Sequence, residues 1–128
     1  MITSLRTAIY NLGKTAFSDN LFYLEAPAEQ NGLYGVISEL PTVIDHDSDN
    51  EFKFENVQIN GYSDSLTELE TAEGSLKSAL DGKEESFSLD DWYVIDIDLV
   101  FSRTTKLDVK PNGIYQFTHQ YRVHLQKK

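Results

Sequence analysis

The chain has 128 residues, 40% of them hydrophobic, and sets 11 lysines and arginines against 21 aspartates and glutamates, a formal charge of −10. That length fits one domain, 1–128, with a single core, and the absence of cysteine removes disulfides, thiolate metal sites and thiol nucleophiles. The acidic balance argues against phosphate-backbone binding, which needs clustered Lys and Arg, and the interrupted apolar pattern of MITSLRTAIYNLGKTAF is neither a secretory signal nor a membrane span.

In chain order, Ile2, Leu5, Ala8, Ile9, Leu12 and Ala16 recur at three- and four-residue steps, which predicts an amphipathic helix over 2–17 weakened by Gly13 in its last turn. Ser18, Asp19 and Asn20 break it. Leu21 to Glu25 reads as a short strand ended by Pro27, and Leu33 to Leu40 as a second strand closed by Pro41. From Glu51 the pattern alternates through Phe52 and Phe54, then changes phase near Asn56, which predicts a bulge or twist there; Asn60-Gly61 and Ser63 read as the turn that ends this strand. A second helix starts at Ser65, whose partner three residues on is Glu68, a capping box, and it stops at Asp81-Gly82.

Two long alternating runs follow. In the first, Tyr93, Ile95, Ile97, Leu99 and Phe101 share one face; in the second, Tyr115, Phe117, His119, Tyr121, Val123 and Leu125 oppose a polar set that includes Arg122 and His124. Pro111-Asn112-Gly113 joins them as a hairpin turn, and the pair is long enough to predict that it overshoots the globule. The expected architecture is α+β: a two-layer sandwich with an antiparallel sheet, two amphipathic helices on one face and a long C-terminal β-hairpin.

The charge is unevenly spread. Residues 1–44 hold 2 basic and 4 acidic side chains (−2), 45–98 hold 3 and 16 (−13), and 99–128 hold 6 and 1 (+5). Such a distribution suits head-to-tail contact between copies, with acidic Glu68 and Glu73 of the second helix against Lys110 and Arg122 of the hairpin, or it simply marks solvated faces.

Little points to catalysis. Asp45-His46-Asp47-Ser48-Asp49 resembles half a calcium loop, but the sixth position is Asn50 and the twelfth Asn56 in place of glycine and glutamate. Asp96 and Asp98 lie on one strand face without converging ligands and read as an acidic surface strip. The three histidines form no metal set, His119 reads as a core residue, and nucleophile-elbow and phosphate-loop motifs are missing. No cofactor or metal is expected. The seven Tyr and seven Phe read mainly as core, with Tyr34, Tyr62 and Trp92 as interface candidates.

The order of elements resembles the tail-completion, or tail-terminator, proteins of long-tailed bacteriophages. The resemblance rests on the helix Ile2 to Phe17, the strand leading to Ala26-Pro27, Leu33 to Leu40, Val57-Gln58-Ile59-Asn60-Gly61-Tyr62-Ser63, the helix end Leu76-Lys77-Ser78-Ala79-Leu80-Asp81-Gly82, and the strands around Tyr115-Gln116-Phe117 and Tyr121-Arg122-Val123. It covers nearly the whole chain in order and texture, without a diagnostic motif. What it implies is a non-enzymatic virion protein, assembled in the host cytoplasm, that forms a homo-oligomeric ring, typically a hexamer, on the tail tube. That ring ends tube growth and joins the tail to the head-side connector. DNA would then pass without specific binding, with Asp96 and Asp98 as candidates for the lumen, and no membrane is involved. A different class also fits the acidic surface: a small inhibitor or immunity-like module that neutralises a basic partner.

Overall fold

In the computed structural model, which describes residues 1–28, 30–40, 52–107 and 113–128, one α-helix precedes three strands and a second precedes two more. Pro41, the Asp45 to Asp49 loop, Lys110 and the Pro111-Asn112 part of the expected turn lie outside the described residues.

Helix α1 (Thr3–Gly13) buries Leu5 and Ile9, and at Gly13 it tightens into a 3-10 segment, Lys14–Phe17, that turns Phe17 fully into the core. Glycine holds helical geometry weakly, so the change falls where the sequence permits it. Left-handed Ser18 and Asp19 (φ 52° and 68°) then redirect the chain into β1 (Leu21–Tyr23). Strand β2 (Tyr34–Glu39) lies beside β1 and parallel to it, because the 24–33 connection carries the chain back to the end where β1 began. All other neighbours are antiparallel, in the order β1-β2-β3-β5-β4. The sheet is therefore mixed by one short pair.

Strand β3 (Phe52–Ser63) pairs with β5 (Ile114–Lys127) without a break from Phe52↔Gln126 to Ser63↔Tyr115. The bulge expected near Asn56 is absent. The change of phase has another cause: Phe52 and Phe54 face away from the helices and are 51% and 50% exposed, whereas Val57 and Ile59 face the core. Asn60-Gly61 is not a turn either. Gly61 lies inside β3 under the ring of Phe117, where an added Cβ would sit 2.3 Å from that ring.

Helix α2 (Leu66–Leu80) begins as the capping pattern predicts, with Ser65 Oγ accepting from the Glu68 N–H at 3.3 Å. The reciprocal half of the box is supplied differently, because the Ser65 N–H donates to Ser63 Oγ at 3.0 Å. Leu69, Ala72, Leu76 and Leu80 are buried, and Gly82 (φ 68°) takes the left-handed conformation after the last turn.

The reading of β5 holds: Phe117, His119, Tyr121, Val123 and Leu125 are all buried. That of β4 (Trp92–Leu107) fails, because the register slips between Val94 and Asp96 and again between Leu99 and Phe101. Each bulge adds a residue and reverses the alternation. Trp92, Val94, Ile97 and Leu99 consequently pack toward the core, while Tyr93, Phe101 and the bulge residues Ile95 and Val100 are exposed. Nor do the described residues of the hairpin overshoot the sheet. Twelve residues of β3 pair along β5, so the hairpin forms the body of the sheet instead of projecting from it.

Both helices contribute to one continuous core with the inward side chains of the strands, from Leu5 and Ile9 through Leu69 and Leu76 to Ile59, Ile97 and Tyr121. Among the described residues no helix or strand covers the opposite sheet face. None of the described helices is long and apolar enough to cross a membrane.

Candidate interaction surface

Period-two alternation and the register of β3, β5 and β4 determine what the open face presents. Across the three strands its rows run Phe52–Gln126–Tyr93, Phe54–His124–Asp96, Asn56–Arg122–Asp98 and Gln58–Gln120–Phe101, then Asn60–Thr118–Arg103 and Tyr62–Gln116–Thr105. β2 extends the surface with Tyr34 opposite Tyr62 and Val36 opposite Asn60.

At one end is an aromatic cluster. The His124 ring stacks on Phe54 with centroids 4.4 Å apart and lies 5.9 Å from Phe52, the Arg122 guanidinium sits 5.9 Å from the Phe54 ring centre, and Lys128 Nζ lies 5.0 Å from that of Tyr93. At the other end Tyr34 stacks on Tyr62 at 4.9 Å. Burial in that stack pushes the Tyr62 hydroxyl pKa up. Between the ends the amides interlock: Gln120 donates to Gln58 at 3.1 Å and Gln58 to Asn60 at 3.3 Å. Among the described strand residues, the charged side chains of this face are Asp96, Asp98, Arg103 and Arg122, with no lysine or glutamate.

Asp96 and Asp98 therefore stand where their strand position predicted, facing outward, but not as bare carboxylates. Asp98 is the register partner of Arg122, and Asp96 Oδ2 lies 3.7 Å from His124 Nδ1. Arg122 on the neighbouring strand thus stands beside the strip that the sequence reads as acidic. Arg122 is exposed on this face; Glu68 is exposed on the helix layer across the sandwich, so one subunit cannot bring them together. Glu73 is held within the subunit, where its two oxygens accept from Ser102 Oγ (3.4 Å) and Thr104 Oγ1 (3.1 Å) on β4.

Glu73 also approaches the most enclosed polar group of the fold. His119 is fully buried, with Nδ1 2.9 Å from the Tyr121 hydroxyl and Nε2 3.5 Å from Glu73 Oε1, too poorly aligned for a hydrogen bond. Burial lowers the histidine pKa against the opposing pull of Glu73 and raises the tyrosine pKa. This arrangement ties α2 to β4 and β5, with His119 and Tyr121 fully buried and Glu73 at the edge of the core. Among the described residues no three His, Asp or Glu side chains converge as a metal site.

The sequence missed the aromatic half of the surface because it assigned exposed rings to the core. Phe52 and Phe54 did carry a signal: they fall on the face shared with Asn56, Gln58 and Asn60, opposite Val57 and Ile59. Of the earlier interface candidates, Tyr34 and Tyr62 lie on the open face, whereas Trp92 packs against the core with Lys53 Nζ 5.2 Å from its ring centre.

No protein-family model matches the sequence, and no curated protein matches it. The fold has solved counterparts. A chain described as the virion of a native gene transfer agent (GTA) particle superposes with a TM-score of 0.73 at 13% sequence identity, over 95% of this chain and 94% of the other.

Proposed function

We propose that this chain is a non-enzymatic structural component of a phage-like virion that assembles with its own copies into a ring on the tail tube, stops tube growth there and joins the tail to the head-side connector. The observation that carries the reading is the superposition with a GTA virion chain along nearly the full length of both. The order of elements agrees with the tail-terminator resemblance. The surface chemistry is compatible with DNA passing without being held: the molecule is strongly acidic, and the exposed arginines of the sheet are dispersed among uncharged residues and aspartates.

A ring requires contacts that use two different surfaces of each copy. Arg122 on the sheet and Glu68 on α2 occupy opposite layers and serve such a contact, with Lys110 as a further basic member. The direct test is electron microscopy of growing tail tubes, polymerised from a phage tail-tube protein, with and without this chain. A cap at one tube end and arrested elongation are expected; tubes that lengthen as fast in its presence would overturn the reading.

A further inference from the structure

We propose that the open sheet face seats the helix layer of a second copy of this chain, so that the seam between α1 and α2 of one subunit covers the sheet of the next.

An antiparallel sheet can leave one face to water, and such a face is then polar. Thirteen of the eighteen positions that β3, β5 and β4 place on this one are polar or charged, but few of them are ionic. In a chain with 32 charged residues, the described strands place two aspartates and two arginines on it, and no glutamate, around Phe52, Phe54, Tyr93, Phe101, Tyr34 and Tyr62, while Lys128, past the end of β5, reaches the Tyr93 ring. Aromatic enrichment with arginine retained and lysine and glutamate depleted is the composition of protein interfaces, not of general surface. Its size also fits. Twelve residues at about 3.3 Å along three strands about 4.8 Å apart, with β2 added, project roughly 650 Å² before side-chain relief. That is close to the ~800 Å² per partner of a standard specific interface.

The charge pattern selects a second copy as the occupant. Most of the molecule is acidic, so two copies repel except where their surfaces are near neutral. Among the described residues, two of the surfaces that meet that condition lie on opposite sides of the sandwich. One is the sheet face. The other is the groove between α1 and α2, where Leu12, Thr15, Gly74, Ser75 and Ser78 present small or uncharged groups beside Glu70. Nothing lies within 4 Å of a Cβ added at Gly74, so the helix backbone is open to close approach there. Glu68 and Glu70 on the rim then come within reach of the neighbour's Arg122 and Arg103. Because the two surfaces face opposite ways, the contact is head-to-tail and propagates until it closes. The inference rests on the ring reading and deepens it by naming the surfaces that meet.

The absence of native cysteine gives a clean test. Thr118→Cys on the open face and Ser75→Cys on the seam are introduced singly and together, then treated with a bifunctional maleimide, both free in solution and at tail-tube ends; circular dichroism melts confirm that each variant folds. A ladder of cross-linked species beyond dimer is expected from the doubly substituted chain only. A covalent dimer from either single variant would instead report like face on like face, and it would overturn the proposal. So would absence of cross-links from the double variant both in solution and at tube ends. Tube elongation measured on the same samples separates the two readings. Arrest without the ladder leaves the ring role standing and refutes this contact; the ladder without arrest does the reverse.

Discussion

His119 is a neutral base enclosed among Tyr121, Glu73, Phe117 and the α2 side chains, and its pKa is lowered chiefly by burial. A base whose folded pKa lies below its unfolded value of 6.5 leaves stability intact above that pH. As pH falls through 6.5 the unfolded chain takes up a proton that the folded one resists, and stability is lost down to the folded pKa. Thermal melts of the wild type between about pH 7.5 and 5.5 should therefore fall more steeply with acidification than those of His119→Gln; parallel slopes would remove the histidine from this account. Gly61 offers a second residue-scale test. Gly61→Ala drives a methyl into the Phe117 ring, and overpacking of this kind costs about 1–3 kcal/mol, which urea unfolding would read as a lower midpoint at unchanged slope.

At the scale of elements, the exposed edge of β4 is a hazard that the chain handles locally. An unpaired strand edge invites pairing with other chains. Here Asp81, just past α2, accepts from the Leu99 N–H through Oδ1 at 2.9 Å, and the Gly82 N–H donates to the Ile97 carbonyl at 2.8 Å. The end of the helix thus occupies the edge beside the second bulge. Asp81→Ala should cost about 1–3 kcal/mol and speed hydrogen exchange at the Leu99 amide, with Asp81→Asn restoring much of both because an acceptor remains. An unaltered exchange rate in Asp81→Ala would mean that the edge is protected by other groups. This contact joins residues 18 apart, and no local pattern announces it. The same limit separates what was legible in the sequence from what was not. α2 was legible from its cap, its 3.6-residue period and its glycine stop, all of which are local. β5 was legible because one face is buried along nearly its whole length. β4 was not, since bulges at Ile95 and Val100 depend on register against β5 and leave no mark in composition. The arginine and histidine beside Asp98 and Asp96 were visible as residues, but their position opposite those aspartates is a fact of strand pairing.

At the scale of the whole molecule, the net charge of −10 bears on assembly more than any single ion pair does. Two such bodies with centres about 30 Å apart repel by about 14 kcal/mol in unscreened water. With a Debye length of 30 Å, at 10 mM salt, about 5 kcal/mol of that survives; at 8 Å, near physiological salt, only about 0.3 kcal/mol does. Against this, an exposed pair such as Arg122 with a neighbour's Glu68 is worth about 0.2–1 kcal/mol and also weakens with salt. Repulsion therefore dominates the balance at low ionic strength, and the near-neutral, aromatic contact takes over once it is screened. Self-association followed by sedimentation velocity should rise as salt increases from 10 to about 150 mM, then level off as the remaining repulsion vanishes. A steady fall over the same range would mean that complementary charge, Glu68 and Glu70 against Arg122 and Arg103, holds the copies together instead of the aromatic part of the open sheet face.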